Sequence, residues 1–568
     1  MKTTVRRRGD KHYRYRYLSL VEAVRVDGKN THRTLLRLGE VSELAASGQL
    51  DRIIAALRSH AEGTWLSAGE LEALDAPALG AMAAVAAYWR RLGLDAHFAA
   101  RGEARGAQHL DDTTFAMVAN RVLAPCSKRA LPEWLANDVV APAEMVAPSV
   151  DQCYRALDAV AEAKEATEDH LYARLTDLTN LDLRLVCYDL TSTYFEGDRQ
   201  PSERFASRAF GYSRDHRGDR PQIVIGLLVT TDGIPIAHHV FAGNTADVST
   251  MPMVLEDLKA RFGVGTITMV ADRGLISETN VKALSDNGFG HILATRLHRD
   301  HDVAAVLDAA VGPDATWAPC PEANSAVCDV EHDGKRWVVV ASAERHHRDT
   351  ARTAELVERT AAELRALERR VAEGRLKDKA KIGSAAGRIL ARAGVARLFD
   401  CEIAEGRFLY HYDDYALDYE EQLLAGRYVL ATSLSAAEAS AAEVLRAYRR
   451  LLEVESTFRV LKNFIALRPV YHWTEARVRA HVGVCVLGAV IEALIEADLR
   501  RAGVCDPDLA DQVLSPRRAL RELGRIRAAT LAAGEHTIGV VTRRSPLQIR
   551  ILAALGVDTS AWDRARVS

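Results

Sequence analysis

The sequence predicts an α/β protein organised on a mixed β-sheet, and three stretches carry that expectation. Val186-Cys187-Tyr188-Asp189-Leu190-Thr191 and Ile267-Thr268-Met269-Val270-Ala271-Asp272 are short, nearly continuous apolar runs that read as buried strands. Each delivers one aspartate at or near its end. Between them, Gln222 to Thr230 and Ile234 to Phe241 flank Thr231-Asp232-Gly233, a strong hairpin signal. A carboxylate in or ending an apolar strand is costly unless it is paired or holds a metal, so Asp189 and Asp272 are candidate site residues.

In chain order, residues 12 to 40 read as strands around a turn at Asp27-Gly28-Lys29-Asn30. From about 41 to 175 the pattern is helical and Ala-rich, cut by Pro125, Pro132, Pro142 and Pro148. Asp111-Asp112-Thr113-Thr114 before Phe115 offers a helix-turn-helix start, but no spacing there is specific and a plain helical bundle is expected. After the hairpin, a helix with Met253, Leu255 and Leu258 on its apolar positions leads to the Asp272 strand. A helix from Ser277 to Asn287, closed by Gly288, precedes a strand from Gly290 to Thr295. Strand, hairpin, helix, strand, helix, strand is the order of an RNase H-like core.

Between Arg296 and Gly426 the pattern changes. Strand-like pieces such as Arg336 to Ser342 and Phe408 to Tyr412 flank a charged helix from Thr350 to about Gly374 and a basic run from Lys377 to Lys381. This reads as a strand-rich insertion, rejoined by the strand Tyr428 to Thr432. A long helix follows, with Ser435 as its cap and Glu438 at capping-box spacing. Residues 477 to 500 continue helically, and the remainder mixes helix with a strand at His536 to Val541. The expected units are a DNA-binding and helical region 1–175, a first part of the catalytic core 176–297 and an insertion 298–425. A second part of the core spans 426–500, and a helical C-terminal region, a candidate for dimerisation, spans 501–568.

On the long helix, Tyr448, Glu455 and Lys462 stand seven apart. At 3.6 residues per turn they drift only about 20° per step and share a face. Glu455 thus becomes the third carboxylate beside Asp189 and Asp272. Hard oxygen ligands of this kind suit Mg²⁺ or Mn²⁺, and two ions about 4 Å apart clamp the attacking and leaving oxygens of a phosphodiester displacement.

Composition sets bounds on the rest. At 568 residues the chain predicts several structural units, and 48% hydrophobic with 27% charged content describes a globular protein. Net charge of −3 makes any DNA surface a local patch. The N-terminus offers one: Arg6, Arg7 and Arg8, with Lys11, Arg14 and Arg16, are interleaved with aromatics, as suits either a phosphate-contacting arm or a solvated basic strand. Eight cysteines without a CxxC indicate neither a zinc module nor a disulfide framework, and a reducing cytoplasm is the expected compartment. The longest apolar segment, Val482 to Ile491, is too short to span a bilayer.

With these residues placed, the sequence resembles a bacterial insertion-sequence transposase of the DDE class, in the superfamily with a tyrosine, arginine, glutamate, lysine signature. The resemblance rests on Tyr188 to Glu196, Gly211-Tyr212-Ser213, Gly243-Asn244-Thr245-Ala246-Asp247 and Ala271-Asp272-Arg273-Gly274. The helix ending Phe458-Arg459-Val460-Leu461-Lys462 and the following Leu467 to Tyr471 complete it. It implies an RNase H-like cut-and-paste enzyme using two divalent ions, with Asp189, Asp272 and Glu455 as the metal-binding triad. It also implies double-stranded DNA as partner, a dimer joining two ends, and Tyr448 and Lys462 as DNA contacts.

The signature's arginine falls at Leu451, so Arg449, Arg450 or Arg459 is expected to supply that charge, and Arg273 to meet phosphate. Leu451 itself is either open to DNA or part of a buried stripe with Leu445 and Leu452. Asn244 and Asp247 either make a turn or support the metals, Glu196 caps a strand exit, and His238 and His239 are satisfied polar residues of the hairpin. The rival functions are a DNA-binding regulator that has lost catalysis and a same-fold nuclease that cuts without joining.

Overall fold

Leu185–Tyr194 (β5) is an interior strand of the large sheet, and its apolar side chains explain why it is covered on both faces. Val186, Tyr188 and Leu190 join one core cluster, while Cys187 joins another on the opposite face, the period of two that a strand buried on both sides requires. A computed structural model describes the chain except residues 1, 9–10, 27–28, 61–70, 180–184, 197–204, 206, 263–266, 273–274, 276, 296–300, 394, 510–511, 534–535, 563–565 and 568.

Antiparallel to β5 runs Gln222–Thr230 (β6), which pairs in turn with Pro235–Ala242 (β7). On the other side Thr268–Ala271 (β8) lies parallel to β5, and Gly290–Ala294 (β9) parallel to β8. The order β7-β6-β5-β8-β9, with helices Met251–Phe262 and Glu278–Asp286 between the later strands, is the RNase H-like arrangement. The hairpin turns where expected, with Gly233 at φ +78°, and the second helix is capped by Ser277, whose hydroxyl accepts from the Asn280 amide.

The sheet does not stop at β9. Trp317–Cys320 (β10), Ser325–His332 (β11), Lys335–Ala341 (β12) and Arg427–Thr432 (β15) extend it to nine strands in the order β10-β11-β12-β15-β9-β8-β5-β6-β7. The intervening chain adds helices Ala343–Ala372 and Lys379–Ala393 and the strand pair Phe399–Ala404 (β13) and Arg407–Tyr412 (β14). The first of these helices starts seven residues before the expected Thr350, because Ser342 caps it by accepting from the Arg345 amide.

The long helix also differs from its expectation. Ser435 and Glu438 do bond to each other, but they close a turn. The helix begins at Ala441, where Ser440 and Glu443 form a complete capping box. It breaks at Arg450, resumes as Leu451–Arg459 and ends in a wider π turn at Val460–Phe464. Tyr448, Glu455 and Lys462 therefore sit on three successive pieces. Met253, expected on the apolar face of its helix, is exposed, while Met251, Val254, Leu255 and Leu258 are buried. Leu452 is likewise 61% exposed, whereas Leu445 and Leu451 are buried.

Helices Leu110–Leu123, Val150–Glu162 and Glu475–Arg501 pack together as a bundle that shares its apolar core with one face of the sheet. Among the described residues no helix is long and apolar enough to cross a membrane. The last of the three buries Glu492, whose carboxyl is pushed up to about 7 chiefly by burial, with Arg517 opposing and Glu496 adding. A folded-state value above the unfolded one, near 4.5, means that stability is lost as pH rises from there to about 7. Glu492→Gln should therefore gain roughly 3 kcal/mol over the parent above neutral pH and nothing below about pH 4. Denaturant melts of both proteins across pH test this, and a constant difference would refute it.

Two compact units divide the chain. Ala76–Ala528 with Val541–Asp563 holds the nine-stranded sheet and the helices named so far, and Met1–Asp75 with Ala529–Val540 and Arg564–Ser568 forms the other. In the second unit Lys2–Arg8 (β1), Lys11–Val26 (β2) and Lys29–Glu40 (β3) make an antiparallel three-stranded sheet, with Arg6, Arg7 and Arg8 paired through their backbone to Tyr13, His12 and Lys11. Part of the predicted turn at 27–30 lies outside the described residues. A second sheet of this unit joins Leu71–Asp75 (β4) to the C-terminal strands Ala528–Ala533 (β16) and His536–Val541 (β17).

Candidate active site

Asp189 stands in the middle of β5, on the same face as Cys187 by alternation, and this is the face covered by the helix Leu451–Arg459 through Val454 and Phe458. Asp272 immediately follows β8, the parallel neighbour of β5, and is exposed. Glu455 is exposed on the covering helix. The three acidic residues line one cavity of 1390 Å³ in the larger unit.

Their charges act on each other. The Asp189 carboxyl rises to about 7, mainly because it is buried; the Leu190 amide, donating to its Oδ1 at 2.7 Å, opposes that rise. Asp272 and Glu455 push it further up and Arg214 pulls it down. The donor chemistry, three hard carboxylates crowding one another's charge, fits a divalent cation. As the side chains are placed, no three His, Cys, Asp or Glu among the described residues could together hold one ion.

The cavity wall is rich in cations. Lys462 lines it and donates to Asp215 Oδ1 at 2.7 Å, and Arg468 pairs with the same oxygen. Burial lowers the Lys462 ammonium pKa, and the Asp215 contact resists that fall. Arg214 also lines the cavity, held by Asp247 at 2.6 Å while its amide donates to Ser192 Oγ at 3.0 Å. Tyr448 and Arg459 complete this side. Further cations come from the insertion, where Arg345 and Arg352 lie seven apart on the helix Ala343–Ala372 and Arg397 just precedes β13, and from Arg427 at the start of β15.

Not every predicted residue reaches the cavity. Arg449 turns to the insertion, donating to Ala323 O at 2.6 Å and Ser325 Oγ at 3.4 Å. Arg450 reaches the hairpin at Thr231 O, 3.4 Å away. Neither lines the wall, although Tyr448 beside them does. Leu451 is packed in the core with Leu445 and Val454. Arg273 lies outside the described residues. Arg6, Arg7 and Arg8 belong to the other unit.

Among the secondary candidates, Asn244 sits in a turn and Asp247 both opens a short 3₁₀ turn and holds Arg214. Glu196 lies 3.6 Å from Arg220 and is not on the wall. His238 and His239 face Glu168 at 2.8 Å and Asp257 at 3.2 Å. Sequence reasoning missed Arg214, Asp215 and the insertion's arginines. The spacing of Arg345 and Arg352 on one helical face was a readable signal, but nothing local says which way that face points.

Residues 181–490, more than half of the chain, match the family model described as the transposase DDE domain. The chain belongs to the DDE transposases. Its residues 1–69 match the IS1634 family transposase N-terminal domain, which makes it an insertion-sequence member. No curated protein matches it. Among solved structures it is similar to the "Mos1 transposase paired-end complex with left transposon end" at 15% identity, over 34% of this chain and 56% of that chain, with a TM-score of 0.14. So slight a likeness adds nothing to the fold or the site described above.

Proposed function

We propose that this protein binds the ends of its insertion sequence, cuts them by metal-assisted phosphodiester hydrolysis and joins the 3′ ends to target DNA. The observation that carries this reading is the convergence on one arginine-walled cavity of Asp189, Asp272 and Glu455, from three separate segments of the chain. These three residues would hold Mg²⁺ or Mn²⁺, as a pair of ions, which would supply positive charge to the attacking and leaving oxygens.

The chain's own groups set up the rest. Asp189, with its carboxyl near 7, is partly protonated at neutral pH until positive charge arrives, so cation binding releases a proton there. Arg214, Arg459 and the insertion's Arg345 and Arg352 face the cavity as donors for backbone phosphates. Lys462 shares its charge with Asp215, so it steadies the end of the Glu455 helix as well as meeting DNA. Joining two ends calls for two catalytic centres, hence a homodimer in the active complex, working in the bacterial cytoplasm. The five-part division given above, with 298–425 as insertion and 501–568 as dimerisation region, belongs to the same reading.

A labelled terminal-repeat duplex incubated with the purified protein and Mg²⁺, then resolved on a sequencing gel, tests the reading. Breaks at the end of the repeat support it. Binding without breaks would instead support a regulator, and breaks without joined product a nuclease.

The N-terminal arm gives a separate prediction. Changing Arg6, Arg7 and Arg8 together to Ala should weaken end binding and flatten its salt dependence, by about 0.9 in log–log slope for each phosphate no longer neutralised. Titrations at several salt concentrations measure the slope; an unchanged slope would make the arm a bystander.

A further inference from the structure

Tyr212 is 82% exposed, yet it lines the carboxylate cavity. Its backbone, by contrast, is held at the carbonyl and through its neighbours. The Tyr212 carbonyl accepts from the Gln222 side-chain amide at 3.0 Å, and that same buried amide donates to Gly243 O at 2.9 Å. Gly211, just before it, is pressed so closely on Gly243 that an added Cβ would stand 2.0 Å from the Gly243 carbonyl oxygen. Just after it come the bond from the Arg214 amide to Ser192 and the buried Asp215, gripped by Lys462 and Arg468.

An aromatic ring held this firmly at its root and left this bare contributes little to folding. The ring is open at a cavity lined by many charged groups, Arg214, Arg459 and Lys462 among them. The ligand that brings a flat apolar face together with phosphates for Arg214 and Arg459 is a nucleotide. We propose that Tyr212 is a stacking platform for a nucleobase of the strand being cut, at or next to the scissile phosphate, where the base has left the duplex stack. The inference rests on the end-cleavage reading and specifies how that site holds its DNA.

The test uses the full-length protein and terminal-repeat duplexes carrying 2-aminopurine at single positions around the cut. The parent should change the fluorescence of one such position, and Tyr212→Trp and Tyr212→Phe should preserve both that change and cleavage to within a few-fold. Tyr212→Ala should abolish the change and slow cleavage roughly 10- to 100-fold, the range for losing one stacked base. Its melting temperature should stay at the parent's, because the ring is exposed. On a duplex lacking that one base, parent and Tyr212→Ala should cut alike.

If the Phe variant falls as far as Ala, the hydroxyl is the working group and stacking is overturned. If the Ala variant cuts like the parent, stacking is overturned while end cleavage stands. A parent that neither binds nor cuts the duplex overturns both.

Discussion

Glu455→Gln is expected to remove strand cleavage, by on the order of a thousandfold or more, and to leave DNA binding intact. Glu455 is exposed, so the near-isosteric amide should change stability by no more than about 0.5 kcal/mol. What it removes is a negative oxygen at a site meant to hold cations. Loss of a single preorganised electrostatic group commonly costs about 10²- to 10³-fold in rate, and a lost metal ligand is the harsher case. Binding depends mainly on basic groups that meet phosphate, none of which this change touches. It should also let the Asp189 carboxyl fall, since Glu455 is one of the charges holding it up. Asp189→Asn should be equally inactive. Cleavage gels in Mg²⁺ beside binding isotherms decide, and a Gln variant cutting at the parental rate would remove Glu455 from the triad.

The catalytic fold was legible because its signals are local. Continuous apolar runs marked β5 and β8, and Thr231-Asp232-Gly233 marked the hairpin between β6 and β7. Asp189 and Asp272 stood out because a charge in such a run needs a reason. What escaped depended on contacts between distant parts. Ser435 with Glu438 and Ser440 with Glu443 present the same capping pattern five residues apart, and only the second starts a helix. The pairing of β15 with β9, which carries the insertion's strands into the sheet, joins segments more than a hundred residues apart. Asp215 escaped for the same reason. It lies in a polar stretch that reads as loop, and its partners Lys462 and Arg468 follow it by about 250 positions. The arginines of the long helix were visible as a face but not as a wall, because their direction is set by how the insertion folds back over the core.

The same distinction between local pattern and tertiary placement governs Leu451, the position where the signature calls for arginine. Restoring it with Leu451→Arg is expected to destabilise the protein by roughly 3–5 kcal/mol, the cost of an unpaired buried charge, without improving any hairpin step. On an unbroken helix Leu451 would lie one turn from both Tyr448 and Glu455 and share part of their outlook. In the folded chain it is only 9% exposed and packs with Leu445, Val454 and Phe458, while Tyr448 and Glu455 face the cavity. Leu451 shares the piece Leu451–Arg459 with Glu455 but lies on its buried stripe, three and seven residues before Val454 and Phe458, so a guanidinium at 451 enters the core beneath the helix. The cations near the carboxylates are supplied elsewhere, by Arg459 one turn past Glu455 and by Arg214 from the loop before β6. Leu452→Arg, one residue on and 61% exposed, should shift stability by no more than about 0.5 kcal/mol and serves as the control. Denaturant midpoints of both variants, read beside nick and hairpin yields on labelled ends, separate the outcomes. A Leu451→Arg protein that unfolds like the parent and forms more hairpins would mean that the side chain reaches the DNA after all, and that the helix turns over in the complex.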